Sequence, residues 1–133
     1  MPTFGKTDIG VNVYYQSNRL FVCKYNLSED GLVSKLTLYC YAPAAQVGEK
    51  MKCAIYDDDG TGGLPGTLMG VTSEYTIPTD GITAWIDFTF STAVSLTAGD
   101  WWLAFWSNGL IRWYWDAGTT GQQQYLDLTY DSF

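Results

Sequence analysis

The chain has 133 residues, enough for one domain with one core, and is 47% hydrophobic but only 16% charged. Its 14 glycines, its abundant Thr, Tyr and Trp and its lack of long helical periodicity exclude a helical bundle or a disordered chain and favour an all-β protein. The net charge is −7, and residues 53–133 set one basic residue, Arg112, against ten acidic ones, a field that repels a phosphate backbone and argues against nucleic acid as a partner.

Residues 1–19 read as a lead-in or edge strand, pairing through Val11, Val13 and Tyr15. The start lacks the basic residues and apolar run of a signal peptide, and no stretch is long and apolar enough to span a membrane. Residues 20–26 and 32–42 alternate as strands about the turn Ser28-Glu29-Asp30-Gly31, with Leu36, Leu38 and Cys40 inward and Tyr39 and Tyr41 outward. Residues 50–57 form the next strand. Cys23, Cys40 and Cys53 fall on the inward side of separate strands, which favours buried thiols over a disulfide. With no histidine and no Cys-x-x-Cys, the chain lacks the ligands of an ordinary zinc or haem site.

The loop Asp57-Asp58-Asp59-Gly60-Thr61-Gly62-Gly63 leads into a strand-like stretch, 67–77, and Pro78-Thr79-Asp80-Gly81 is a turn. In residues 83–90, Ile86, Phe88 and Phe90 face the core and Trp85, Asp87 and Thr89 the other side. Residues 94–96, 101–107, 110–116 and 123–130 complete eight or nine strands. Asn108-Gly109, between two apolar runs, signals a hairpin. The fold class is therefore an all-β, jelly-roll-like β-sandwich in a single domain, residues 1–133.

Three motifs occur in order: Cys53-Ala54-Ile55-Tyr56-Asp57, Gly63-Leu64-Pro65-Gly66-Thr67-Leu68, and Leu96-Thr97-Ala98-Gly99-Asp100-Trp101-Trp102-Leu103-Ala104. Across residues 20–116 the chain resembles a loose group of jelly-roll β-sandwich modules found in extracellular, microbial and viral multidomain proteins. The resemblance implies a carbohydrate-binding or adhesive appendage. These motifs are turns and core strands, so they speak to fold more than to function. Trp101 stands where the pattern usually has Tyr, which makes this version more aromatic.

Five of the six tryptophans, Trp101, Trp102, Trp106, Trp113 and Trp115, lie within 15 residues. With Trp101, Leu103 and Phe105 inward, period two turns Trp102 and Trp106 outward; the opposite register would exchange them for Trp101. On the next strand a buried, unpaired Arg112 would be costly, so Arg112, Tyr114 and Asp116 face out and Ile111, Trp113 and Trp115 in. The expected ligand site is thus Trp102, Trp106, Arg112, Tyr114 and Asp116: rings to stack on sugars, charges to hold hydroxyls. The competing reading covers this face with the lead-in, a loop or a second protomer. Tyr39, Tyr41 and Tyr56 form a rival aromatic face on the other sheet.

Asp57 and Asp59 are candidate ligands for a structural Ca2+, set against a plain acidic glycine-rich loop; the Glu an EF-hand needs is replaced by Leu68. No cofactor is required. Without His, and with no spacing that opposes two of Glu74, Asp87, Asp100 and Asp116, the chain is not expected to be an enzyme. The expected function is a non-catalytic carbohydrate-binding module for a polysaccharide or glycan. It would be extracellular as part of an exported multidomain parent, or carried on a virion. The alternative is a structural or adhesive component of a viral fibre, coat or extracellular assembly, as a homo-oligomer.

Overall fold

A computed structural model describes residues 4–115, 121, 123–127 and 130. Its strands are β1 (Asn12–Gln16), β2 (Arg19–Leu27), β3 (Gly31–Ala42), β4 (Lys50–Asp57), β5 (Leu68–Val71), β6 (Tyr75–Thr76), β7 (Ile82–Leu96), β8 (Gly99–Ser107), β9 (Ile111–Trp115) and β10 (Gln123–Asp127). They form a four-stranded sheet, β1-β9-β3-β7, and a six-stranded sheet, β10-β2-β8-β4-β5 with β6 also on β4. All the mapped pairs are antiparallel. From β1 to β4 and again from β6 to β10, each strand crosses to the opposite sheet, which is the winding of a jelly roll.

Period two explains the core. Leu36, Leu38, Cys40 and Ala42 on β3 lie opposite Phe88, Ile86, Ala84 and Ile82 on β7. A bulge between Val33 and Lys35 switches the inward parity of β3, so that Val33 meets Val94 while Leu36 meets Phe88. Leu36 packs against both core clusters, one built on Met51, Cys53, Ile86, Phe88 and Phe105, the other on Ile55, Phe90, Leu96 and Trp101. At one end the rings of Tyr14, Phe21, Trp113 and Phe105 pack in series, with centroid spacings of 4.9, 4.0 and 4.5 Å.

Three expectations about elements need correction. Residues 67–77 are two strands rather than one: at Thr72 the amide still donates to the Cys53 carbonyl (2.9 Å), but the Thr72 hydroxyl replaces its backbone carbonyl as acceptor of the Cys53 amide (2.9 Å). Residues 83–90 and 94–96 are one continuous strand, β7. Asn108-Gly109 is not a hairpin turn: β8 lies between β2 and β4, whereas β9 lies between β1 and β3 in the other sheet. Neither residue has positive φ, which a type I′ turn demands of both. Asn108 instead joins the crossover to β4, its Oδ1 accepting the Lys50 amide at 2.7 Å and its amide donating to the Lys50 carbonyl at 3.2 Å. Gly109 is needed for close approach, since a Cβ there would sit 2.9 Å from Glu49 Cβ.

The three cysteines are free thiols; Cys40 and Cys53 are buried and Cys23 is partly so. Burial pushes Cys40 up to about 12 and Cys53 well above its ordinary value, and it pushes Tyr25 up to about 12.

Two outcomes follow from this packing. Replacing Asn108 by Gly, which a type I′ hairpin would tolerate, is expected to strand the Lys50 amide and cost about 1–2 kcal/mol in urea unfolding. A variant as stable as wild type would contradict the crossover geometry. The raised thiol and phenol groups are neutral when protonated, so their stabilisation is complete below the unfolded thiol's ordinary value of 9.0 and is lost as pH rises towards about 12. The urea midpoint should therefore be lower at about pH 10.5 than at about pH 8.

Candidate functional site

The jelly-roll winding separates the expected ligand residues onto opposite sides of the molecule. Trp102 and Trp106 do lie on the side of β8 away from the inter-sheet core, since Trp101 and Phe105 belong to that core. They are not exposed: each is 0% accessible. The outer face of the six-stranded sheet is a second, smaller core.

Register shows how it is sealed. Ala104 sits between Val22 and Ala54, and the two alanines leave room beside them for the indoles. Trp102 lies between Lys24 and Tyr56, with the Lys24 ammonium 5.0 Å from its ring. Asp58 completes the cover: its Oδ1 accepts Trp102 Nε1 at 2.8 Å and its Oδ2 pairs with Lys24 Nζ at 3.0 Å. Trp106 is covered by Lys52, 5.4 Å from its ring, and by Tyr130, 5.1 Å away. Tyr130 is itself held, its hydroxyl donating to Glu74 (2.8 Å) and its amide to Asn18 Oδ1 (3.1 Å).

The sequence already carried a signal for this. Trp101 to Trp106 is an unbroken apolar run, as expected of a strand covered on both faces rather than one with a wet side.

Arg112 and Tyr114 face outward as expected, but from the four-stranded sheet. Cross-strand register arranges its outer face in rows. One row runs Tyr15, Arg112, Tyr41, Thr83 from β1 to β7. The next runs Val13, Tyr114, Tyr39, Trp85, with Tyr39 5.3 Å from Tyr114 and 5.5 Å from Trp85. Beyond lie Thr37 and Asp87, bonded at 2.8 Å, and Lys35, paired with Asp87 at 2.7 Å. Lys35 and Thr37 together hold the Asp87 carboxyl below its ordinary value.

Trp85 is 42% exposed and Tyr15 45%. Five aromatic rings, one guanidinium and one carboxylate thus share a wet face roughly four strands, or about 14 Å, across. Tyr39 and Tyr41 belong to it, as the rival-face expectation has them. Tyr56 does not, for β4 turns it onto Trp102 in the other sheet. Tyr15 and Trp85 were missing from the expected site because nothing local ties the lead-in or residues 83–90 to β9. Asp116 lies outside the described residues.

The acidic loop is held by its own contacts. Asp59 takes the Thr67 amide on Oδ1 and the Thr67 hydroxyl on Oδ2, each at 2.6 Å, which keeps its carboxyl below its ordinary value. Asp57 Oδ1 accepts the Asp58 amide at 2.7 Å. Among the described residues no group of three acidic, His or Cys side chains is placed to hold a metal ion.

A groove of about 380 Å3 between β5 and β7 is lined by Met69, Val71, Phe90, Ser91, Val94 and Ser95, without an ionisable side chain among its lining residues. The carboxylates Glu74, Asp87 and Asp100 serve separate contacts, with Tyr130, Lys35 and Asn26 respectively.

Comparison with protein-family models, curated proteins and solved structures finds no match to this chain.

Burial makes the role of the two indoles testable. Trp102→Ala and Trp106→Ala are each expected to destabilise the fold by about 3–5 kcal/mol in urea unfolding, the range for emptying a buried aromatic site. A loss below about 1 kcal/mol for either would mean that its ring is not covered as described.

Proposed function

We propose that this protein is a non-catalytic carbohydrate-binding module that uses the outer face of the four-stranded sheet. The observation that carries the proposal is the outward double row of Tyr15, Arg112 and Tyr41 beside Tyr114, Tyr39 and Trp85, in which Tyr15, Arg112 and Trp85 are exposed and the other three rings half-buried. Rings that keep a polar edge and lose little rotamer freedom suit the C–H faces of sugars, and the neighbouring Thr37 and Asp87 accept hydroxyl hydrogens. Of the residues expected from sequence, Arg112 and Tyr114 stay in this site. Trp102 and Trp106 support the fold instead. A site this open binds weakly, with a dissociation constant on the order of micromolar to millimolar, because solvent competes for every hydroxyl.

A second reading, an assembly interface in a fibre or coat, draws on the apolar strip Ile9, Val11 and Val13 beside the same face, where Val11 is 86% exposed.

Trp85→Ala separates the two. Affinity electrophoresis against a panel of soluble polysaccharides should show roughly tenfold weaker retention for the variant, the worth of about 1.4 kcal/mol of stacking. Its melting temperature should stay close to wild type. Retention equal to wild type would remove Trp85 from the site. A wild-type oligomer that the substitution dissociates, seen in sedimentation velocity, would favour assembly.

A further inference from the structure

We infer that Arg112 makes this face a reader of acidic sugars, receiving the single carboxylate or sulfate of one acidic unit in an otherwise neutral glycan; the inference rests on the sugar-binding reading of the platform. Three observations bear on it.

The first is how Arg112 is held. Register places it between Tyr15 and Tyr41, and its guanidinium carbon is 5.6 Å from the Tyr15 ring centre and 5.2 Å from that of Tyr41. Contacts with two rings fix the group on the face of the sheet while its N–H donors, which radiate in the guanidinium plane, remain for a ligand. In-plane donors match the two oxygens of a carboxylate or sulfate.

The second is charge. Arg112 is exposed, and among the described residues its guanidinium makes no hydrogen bond or ion pair. Its outward neighbours, Tyr15, Tyr41, Val13 and Tyr114, bring no carboxylate. The other cation on this face, Lys35, is already neutralised by Asp87. Arg112 is also the one basic residue in positions 53–133, against ten acidic ones.

The third is what surrounds this cation. A net charge of −7 opposes a dense polyanion at long range, so one positive point among neutral rings suits a ligand with one acid, not a charged polymer. From the Arg112 row to the Thr37 and Asp87 row is four residues along β3, about 13 Å, a span that takes two or three sugar rings. The acid would then lie at one end of the platform and neutral sugars along Tyr39 and Trp85.

The test uses a glycan array carrying neutral oligosaccharides, the same oligosaccharides with one carboxylated sugar, the same with one sulfate, and heparin as a dense polyanion. Wild type, Arg112→Gln, Arg112→Lys and Trp85→Ala are compared after melting curves confirm that each is folded. Wild type is expected to favour the singly acidic members over their neutral parents by roughly tenfold or more, the worth of a charge-assisted contact, and to leave heparin unbound. Arg112→Gln should bind the acidic members no better than their neutral parents, and Arg112→Lys should keep only part of the preference. The carboxylated and sulfated arms identify which acid is read. Equal binding of acidic and neutral members, or a preference that survives in Arg112→Gln, overturns the inference, and the platform stands if Trp85→Ala still loses binding. No glycan binding by wild type overturns both.

Discussion

Almost everything about the surface of this molecule follows from one constraint: except between β4 and β6, consecutive strands lie in opposite sheets. Outside β5 and β6, which pair with nearby β4, the strands therefore take their hydrogen-bond partners from distant parts of the chain. The tryptophan-rich stretch feels this most, because the turn at Asn108 and Gly109 carries it from the middle of the six-stranded sheet to the middle of the four-stranded one. Residues a few positions apart end back to back. A cluster in sequence becomes two aromatic surfaces separated by the core.

The two surfaces have different fates, and the difference is physical. On the six-stranded sheet Ala54 and Ala104 are small enough for Trp102 and Trp106 to lie beside them, and Lys24, Asp58, Lys52 and Tyr130 close over the top. The indoles then add apolar burial on both faces of β8, and the Trp102 N–H is satisfied by a carboxylate that is itself paired. On the four-stranded sheet no equivalent lid appears among the described residues. Tyr15, Trp85 and Arg112 stay wet. Rings left wholly or partly wet contribute less to the fold than buried ones, which is why this face is the better candidate for recognition.

Much of this was legible in the residues. Strict alternation set the inward side of residues 36–42 and 83–90, and the cost of burying a lone guanidinium set the outward side of Arg112 and Tyr114. Facing was also right for Trp102 and Trp106. What alternation does not contain is the partner of a strand or the cover over its outer face. Asp58 is 44 residues from Trp102, and Glu74 is 56 residues from the Tyr130 it anchors. Asn-Gly is a statement about local φ preference, and here tertiary pairing of Asn108 with Lys50 overrides it. The bulge near Ser34 and the break at Thr72 are likewise imposed by neighbouring strands, so they leave no periodic trace. Nor does composition reveal the partners of the acidic loop, Thr67 on Asp59 and Lys24 and Trp102 on Asp58.

The feature on which recognition depends is a wet aromatic face that belongs to the four-stranded sheet and not to the tryptophan-rich strand. Hydroxyl-radical footprinting of the native protein, read residue by residue by mass spectrometry, addresses it without any ligand. Trp85 and Tyr15, both more than 40% exposed, should be oxidised readily, while Trp102 and Trp106, fully buried, should be protected until the protein is unfolded. Oxidation of Trp102 or Trp106 at the rate of Trp85 in the folded protein would contradict this placement of the wet face.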